Sequence, residues 1–157
     1  RRIGIISGPV NSFNSQKRLV GIQQALFEAS IPYNVGTTVI GDWTRECGYH
    51  AASQLLSQGV TAIYAFSDKM ISGVYTYCIE HRISVGKVIS LFGFDDSDIV
   101  HAYTPPLASA KPDLQEMGHK AAELVLAQLQ GKTVCTKCHV LPCTIHVRPS
   151  VCSIGEA

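Results

Sequence analysis

Short apolar runs alternate along this chain with segments whose apolar residues recur every three or four positions, and turn-forming residues separate the two kinds. The run at 3–6 ends at Ser7-Gly8-Pro9 and reads as a short buried strand followed by a turn. From about 15 to 29, Leu19, Ile22 and Leu26 fall at helical spacing, with Ser15 available as the N-cap. Residues 35–40 are β-branched and predict a second strand, closed by Gly41-Asp42-Trp43; Thr44 then caps a helix carrying Cys47, Ala51, Leu55 and Leu56 on its inner face. Residues 62–65 predict a third strand leading to Ser67, the cap of a helix with Met70, Val74 and Cys78 inside.

The pattern then repeats. Residues 88–93 form the fourth predicted strand, followed by a polar turn at 95–98. Residues 107–110 read as extended, because Pro105, Pro106 and Pro112 exclude helix around them. Asp113 and Glu116 open a last helix with the stripe Leu114, Met117, Ala121, Leu124 and Val125, stopped by Gly131; a final strand spans roughly 140–147. Strands alternating with helices over short connections predict an α/β fold: a parallel β-sheet flanked by helices in three layers, αβα. Ligands in such sheets gather at the carboxyl ends of the strands, where the strand order reverses. Here that edge collects residues 12–18, Trp43, Ser67-Asp68 and Asp95-Asp96.

Composition narrows the function classes. With 46% hydrophobic and 16% charged residues the chain is an ordinary globular domain, and no apolar stretch reaches the roughly 20 residues of a membrane span. The formal net charge is +1 and no basic run exceeds Arg1-Arg2, so these residues are not expected to track a phosphate backbone. Six cysteines in a chain of this size and periodicity fit a reducing cytoplasm better than a disulfide scaffold, and Cys47 and Cys78 are expected to be core residues. The Arg-Arg-Ile start, directly before an apolar run, reads as the start of a fragment.

One motif points elsewhere. Cys135-Thr-Lys-Cys138-His139 satisfies the C-x-x-C-H pattern of covalent haem attachment, and Cys135 and Cys138 with two of Cys143, His146 and Cys152 could hold zinc. Chance cysteines in a linker are the preferred account, with no metal and no cofactor expected. No G-x-S-x-G elbow, Walker loop or dinucleotide glycine fingerprint is present, and Asp95, Asp96 and Asp98 share one loop rather than facing across a cleft, so catalysis is not expected.

Four stretches in order resemble the effector-binding core of LacI/GalR-family transcriptional regulators: "IGIISGPVNSFNSQKRLVGIQQAL", "GDWTRECGYHAASQLL", "AFSDKMISGVYTYCIEHRISVGKVISLFGFDDSD", and "PPLASAKPDLQEMGHKAAELVLAQLQGK" followed by "VLPCTIHVRPS". The resemblance implies a two-lobed, periplasmic-binding-protein-like type I core of which this chain is a part. Residues 1–106 would be the C-terminal lobe, 107–134 a strand and helix crossing to the N-terminal lobe, and 135–157 the returning strand and tail. It implies a cytoplasmic repressor that senses a small effector, a sugar or a nucleoside or purine, between the lobes. Operator DNA would be bound through a helix-turn-helix domain outside this sequence, and the protein would form a homodimer. An exported sugar-binding protein for transport or chemotaxis is the alternative.

The resemblance also assigns ligand-binding roles. Arg18 matches the family's effector-contacting arginine, whose fork can donate two parallel hydrogen bonds to vicinal hydroxyls. Asp95 matches the acidic residue that accepts from the ligand, and Trp43 offers an aromatic face to a sugar ring. Ser67 stands where the family usually has Asn and has a shorter reach. Phe13 and Asn14 are placed in the loop before the first helix as walls of the cleft.

Overall fold

The structure, a computed structural model, describes residues 2–134 and 139–152. Strands β1 (Ile3–Ser7), β2 (Thr38–Ile40), β3 (Ala62–Ala65), β4 (Ser90–Phe94), β5 (Ala108–Pro112) and β6 (Cys143–His146) make one sheet in the order β2-β1-β3-β4-β5-β6. The first five pair in parallel. β6 runs antiparallel to β5, with Ser109 opposite His146 and Pro112 opposite Cys143. The expected α/β class therefore holds, with its last strand lying beside the one before it in the sheet and pointing the other way.

Alternation along β1 decides which helix covers which face. Ile3 meets Ile22 and Ala25 of α1 (Phe13–Glu28) around one cavity, whereas Gly4 backs on to Leu55 of α2 (Arg45–Ser57). Helix α3 (Asp68–Glu80) lies against α2 at near backbone contact. A Cβ on Gly48 would sit 1.9 Å from the Met70 carbonyl oxygen, and one on Gly73 1.9 Å from that of Arg45, so both positions need glycine for this approach. Ile6, Leu55, Ile63, Met70, Ile71, Leu91 and Leu107 fill the core between these layers, all fully buried. On the α1 side the sheet is less covered: Tyr64, Phe92 and Ile145 line an apolar cavity of about 540 Å³.

Most helix starts fall where the sequence puts them. Thr44 accepts from Cys47 N–H, Ser67 from Met70 N–H and Asp113 from Glu116 N–H, each as an N-cap. The first helix is an exception, because Ser12 caps it; Ser15 is buried inside, and its hydroxyl donates to the Gly8 carbonyl at 2.9 Å. β2 begins late, since Asn34 caps a single 3₁₀ turn at Val35–Thr37. β4 begins two residues later and ends one later than the expected 88–93, and β5 begins one later and ends two later than the expected 107–110. A one-turn helix α4 (Asp98–His101) occupies part of the stretch read as a polar turn.

Cys78 is fully buried, which pushes its thiol up to about 11, while Cys47 is only partly buried. Helix α5 (Leu114–Leu129) carries its apolar stripe outward. None of its residues is buried, and Leu114, Met117 and Val125 are 67%, 49% and 57% exposed.

Candidate functional site

β1 lies between β2 and β3, so the connections leaving its end and that of β3 go to opposite faces of the sheet. That divergence opens a cavity of about 370 Å³ over the strand ends, bordered by Asn14, Arg18, Trp43, Ser67, Asp68, Lys69, Asp95 and Ser97. Five of the six residues expected from the sequence meet there. Phe13 does not line it; the ring opens α1 at 69% exposure, with the Lys17 ammonium 5.5 Å from its centroid.

Each side chain is placed by local chemistry. Asn14 and Arg18 are four apart in the first turns of α1 and share a face. The Arg18 guanidinium carbon lies over the Phe94 ring, 3.5 Å from its centroid, and Nη1 donates to the Phe66 carbonyl. One guanidinium nitrogen is thereby committed to protein, and the group is held between the ring and the carbonyl. Trp43 sits in the β2–α2 connection with φ 71°, where the Asp42 carboxylate accepts from Thr44 N–H at 2.9 Å and Thr44 Oγ at 2.6 Å. Those two bonds hold the Asp42 carboxyl below its usual range.

Two acidic groups differ in environment. Asp68, 1% exposed, accepts from Ser109 Oγ at 2.7 Å, Ser97 N–H at 2.7 Å and Ser97 Oγ at 3.0 Å. Burial raises its carboxyl, and the three hydrogen bonds act against that. Asp95 is exposed at the end of β4 with φ 114°; desolvation raises its carboxyl too, and the Arg18 charge opposes it. Asp68 is thus occupied with its own neighbours, whereas Asp95 is open to accept a hydrogen bond from a ligand. Ser67 is buried, and its hydroxyl caps α3 at 3.3 Å from Met70 N.

Sequence reading left Phe94, Lys69, Ser97 and Ser109 out of the site. The signal for Ser97 lay in the turn-forming stretch 95–98, whose side chains could be expected to bond a neighbouring acid; Ser109 reaches Asp68 only through tertiary pairing of β4 with β5. Of the C-x-x-C-H motif, Cys135 and Cys138 lie outside the described residues, and His139 is exposed. Among the described residues no group of three or more His, Cys, Asp or Glu side chains could hold a metal ion, and no helix is long and apolar enough to cross a membrane.

Residues 1–151 match the family model of the periplasmic binding protein-like domain. Over 152 residues the chain is 33% identical to the HTH-type transcriptional repressor CytR of Escherichia coli (strain K12), covering 96% of this chain and 45% of that repressor. It is 29% identical over 136 residues to the lactose operon repressor of the same organism, covering 85% and 37%. The solved complex of the transcriptional regulator CelR with cellobiose superposes with a TM-score of 0.89 at 30% identity, over 96% of this chain and 46% of that one. The chain spans less than half the length of these two curated relatives, both of them repressors.

Proposed function

The chain belongs to the periplasmic binding protein-like domain family, and from that membership we propose that it is the ligand-sensing part of a LacI-type transcriptional repressor. The effector is a small polar ring compound, a sugar or a nucleoside or purine, bound over the ends of β1 to β4. The observation that carries this reading is the meeting of Arg18, Asp95 and Trp43 at one cavity. A fixed guanidinium donor, an exposed carboxylate acceptor and an aromatic face are the three contacts that a ring bearing vicinal hydroxyls requires. Asn14 and Ser67 border the same space. The cellobiose-bound relative and the lactose and ribose operon repressors among the relatives support a sugar in particular.

Residues 1–106 form the C-terminal lobe of the core on this reading, 107–134 cross to a second lobe, and 135–157 return. The exposed apolar stripe of α5 supports that division, because such a stripe needs a partner. Effector binding between lobes would shift a closed–open equilibrium, and a homodimer would carry the shift to a helix-turn-helix domain that contacts operator DNA in the cytoplasm. Binding and release, without catalysis, are the work of this part, and it uses no cofactor.

The test is titration calorimetry on the full-length protein with D-ribose, cellobiose, cytidine and hypoxanthine, repeated with Arg18→Ala. At least one probe is expected to bind, with affinity reduced about a hundredfold by the substitution, two charge-assisted hydrogen bonds being lost. Binding unaffected by Arg18→Ala, or no binding by any probe, overturns the reading.

A further inference from the structure

The loop that presents Asp95 is held in an unfavourable conformation from behind. Asp95 and Asp96 have φ of 114° and 52°, a consecutive pair of non-glycine residues in left-handed backbone, which persists only where surrounding structure holds it. β5 supplies two ties: Asp95 N–H donates to the Ala110 carbonyl at 2.8 Å, and Asp96 N–H to Ser109 Oγ at 3.1 Å. The third tie is the Asp96 carboxylate, only 2% exposed, which points away from the ligand cavity towards β6 and the segment after it. Its Oδ1 accepts from Arg148 Nη2 at 2.6 Å, and its Oδ2 meets His146 Nδ1 at 2.8 Å. His101 of α4 stands 3.5 Å from Oδ1, and Arg148 also donates to the Leu107 carbonyl at 2.7 Å.

The contact at 2.8 Å constrains His146. A carboxylate oxygen offers only lone pairs, so an unprotonated Nδ1 facing it would repel; the proton must be on Nδ1. Arg148 Nη2 lies 3.2 Å from the same nitrogen and cannot donate to it in that state, so Arg148 serves Asp96 and Leu107 while His146 serves Asp96. Each carboxylate oxygen thus has its own donor, one at the end of the strand that pairs with β5 and the other two residues beyond it.

We propose that His146, with its proton on Nδ1, is a positioning residue that holds the ligand-facing carboxylate of Asp95 in place through Asp96. This rests on the functional reading above, in which Asp95 contacts the effector. It makes the geometry of the effector loop depend on the strand that follows α5, so a displacement of β6 is felt at Asp95 without any change in the cavity's own side chains.

Nitrogen-15 NMR of the imidazole in this chain, with amide hydrogen exchange across residues 94–98, tests the proposal with no ligand present. Nδ1 is expected to carry the proton at neutral pH. His146→Val is expected to speed exchange at Asp95 and Asp96 about tenfold, the loss of one charge-assisted hydrogen bond, and to leave the core strands protected. His146→Asn, whose amide nitrogen replaces Nδ1–H, is expected to stay within about twofold of the parent chain. A proton on Nε2 alone, equal exchange in all three proteins, or an Asn variant as fast as the Val variant overturns it. Because each readout is made without effector, failure of every probe in the binding panel would sink the functional reading and leave this result standing.

Discussion

Trp43 lies so close across Gly8 that a methyl group at residue 8 would fall 2.0 Å from the ring carbon Cζ2. The end of β1 and the β2–α2 connection are therefore fitted to each other at the candidate site, with a glycine as the seat of the indole.

Gly8→Ala should unseat that ring. Stability is expected to fall by about 1–3 kcal/mol, the usual cost of overpacking a filled site. Tryptophan fluorescence is a clean reporter, because Trp43 is the sole tryptophan in the sequence. A shift of the emission maximum in the folded protein is expected, together with weaker effector binding; an unchanged spectrum would mean that the ring does not rest on Gly8.

The α2–α3 contact predicts a larger effect away from the site. Gly48→Ala puts its methyl on the Met70 backbone carbonyl, which cannot swing aside as a side chain can. The helices must separate, at a cost of about 3 kcal/mol or more. Gly118→Ala, where a Cβ meets nothing within 4 Å, should instead stabilise α5 by a few tenths of a kcal/mol to about 1 kcal/mol. Urea melts of the two variants and the parent compare them directly.

Asp96 gives a signed pH dependence. Burial pushes its carboxyl up, but hydrogen bonding and charge from Arg148, with His146, outweigh burial and leave it below the ordinary value of 3.8. A carboxyl depressed on folding contributes stability above its unfolded pKa, and that contribution is lost as pH falls through the lower folded value. Melting the parent and Asp96→Asn from pH 5 downward should show the parent losing more stability below about pH 4. Parallel curves for the two proteins would contradict the ion pair.

Sequence legibility followed the range of the interactions. Thr44, Ser67 and Asp113 were readable as caps because an N-cap bonds within its own first turn. Ser12 and Ser15 both sit before Leu19 with the right chemistry, and the choice fell to Gly8, whose carbonyl takes the Ser15 hydroxyl. Residues 35–37 have strand composition, yet Asn34 captures Gly36 N–H at 2.8 Å and bends them into a 3₁₀ turn. In the site, Arg18, Trp43 and Asp95 were legible through resemblance and spacing. The Ser109 hydroxyl on Asp68 and the histidine behind Asp96 were not, since residues 41 and 50 positions apart meet only when β4, β5 and β6 come together.

The antiparallel pairing of β5 with β6 has a mechanical consequence. The chain departs toward α5 and comes back on two strands cross-linked over four residue pairs, from Ser109–His146 to Pro112–Cys143. Two separate tethers would let whatever lies beyond them wander; a two-stranded ribbon resists bending in its own plane and yields readily to twist. Motion arriving from α5 would reach this sheet as a torque about the ribbon axis, delivered beside the loop that carries Asp95.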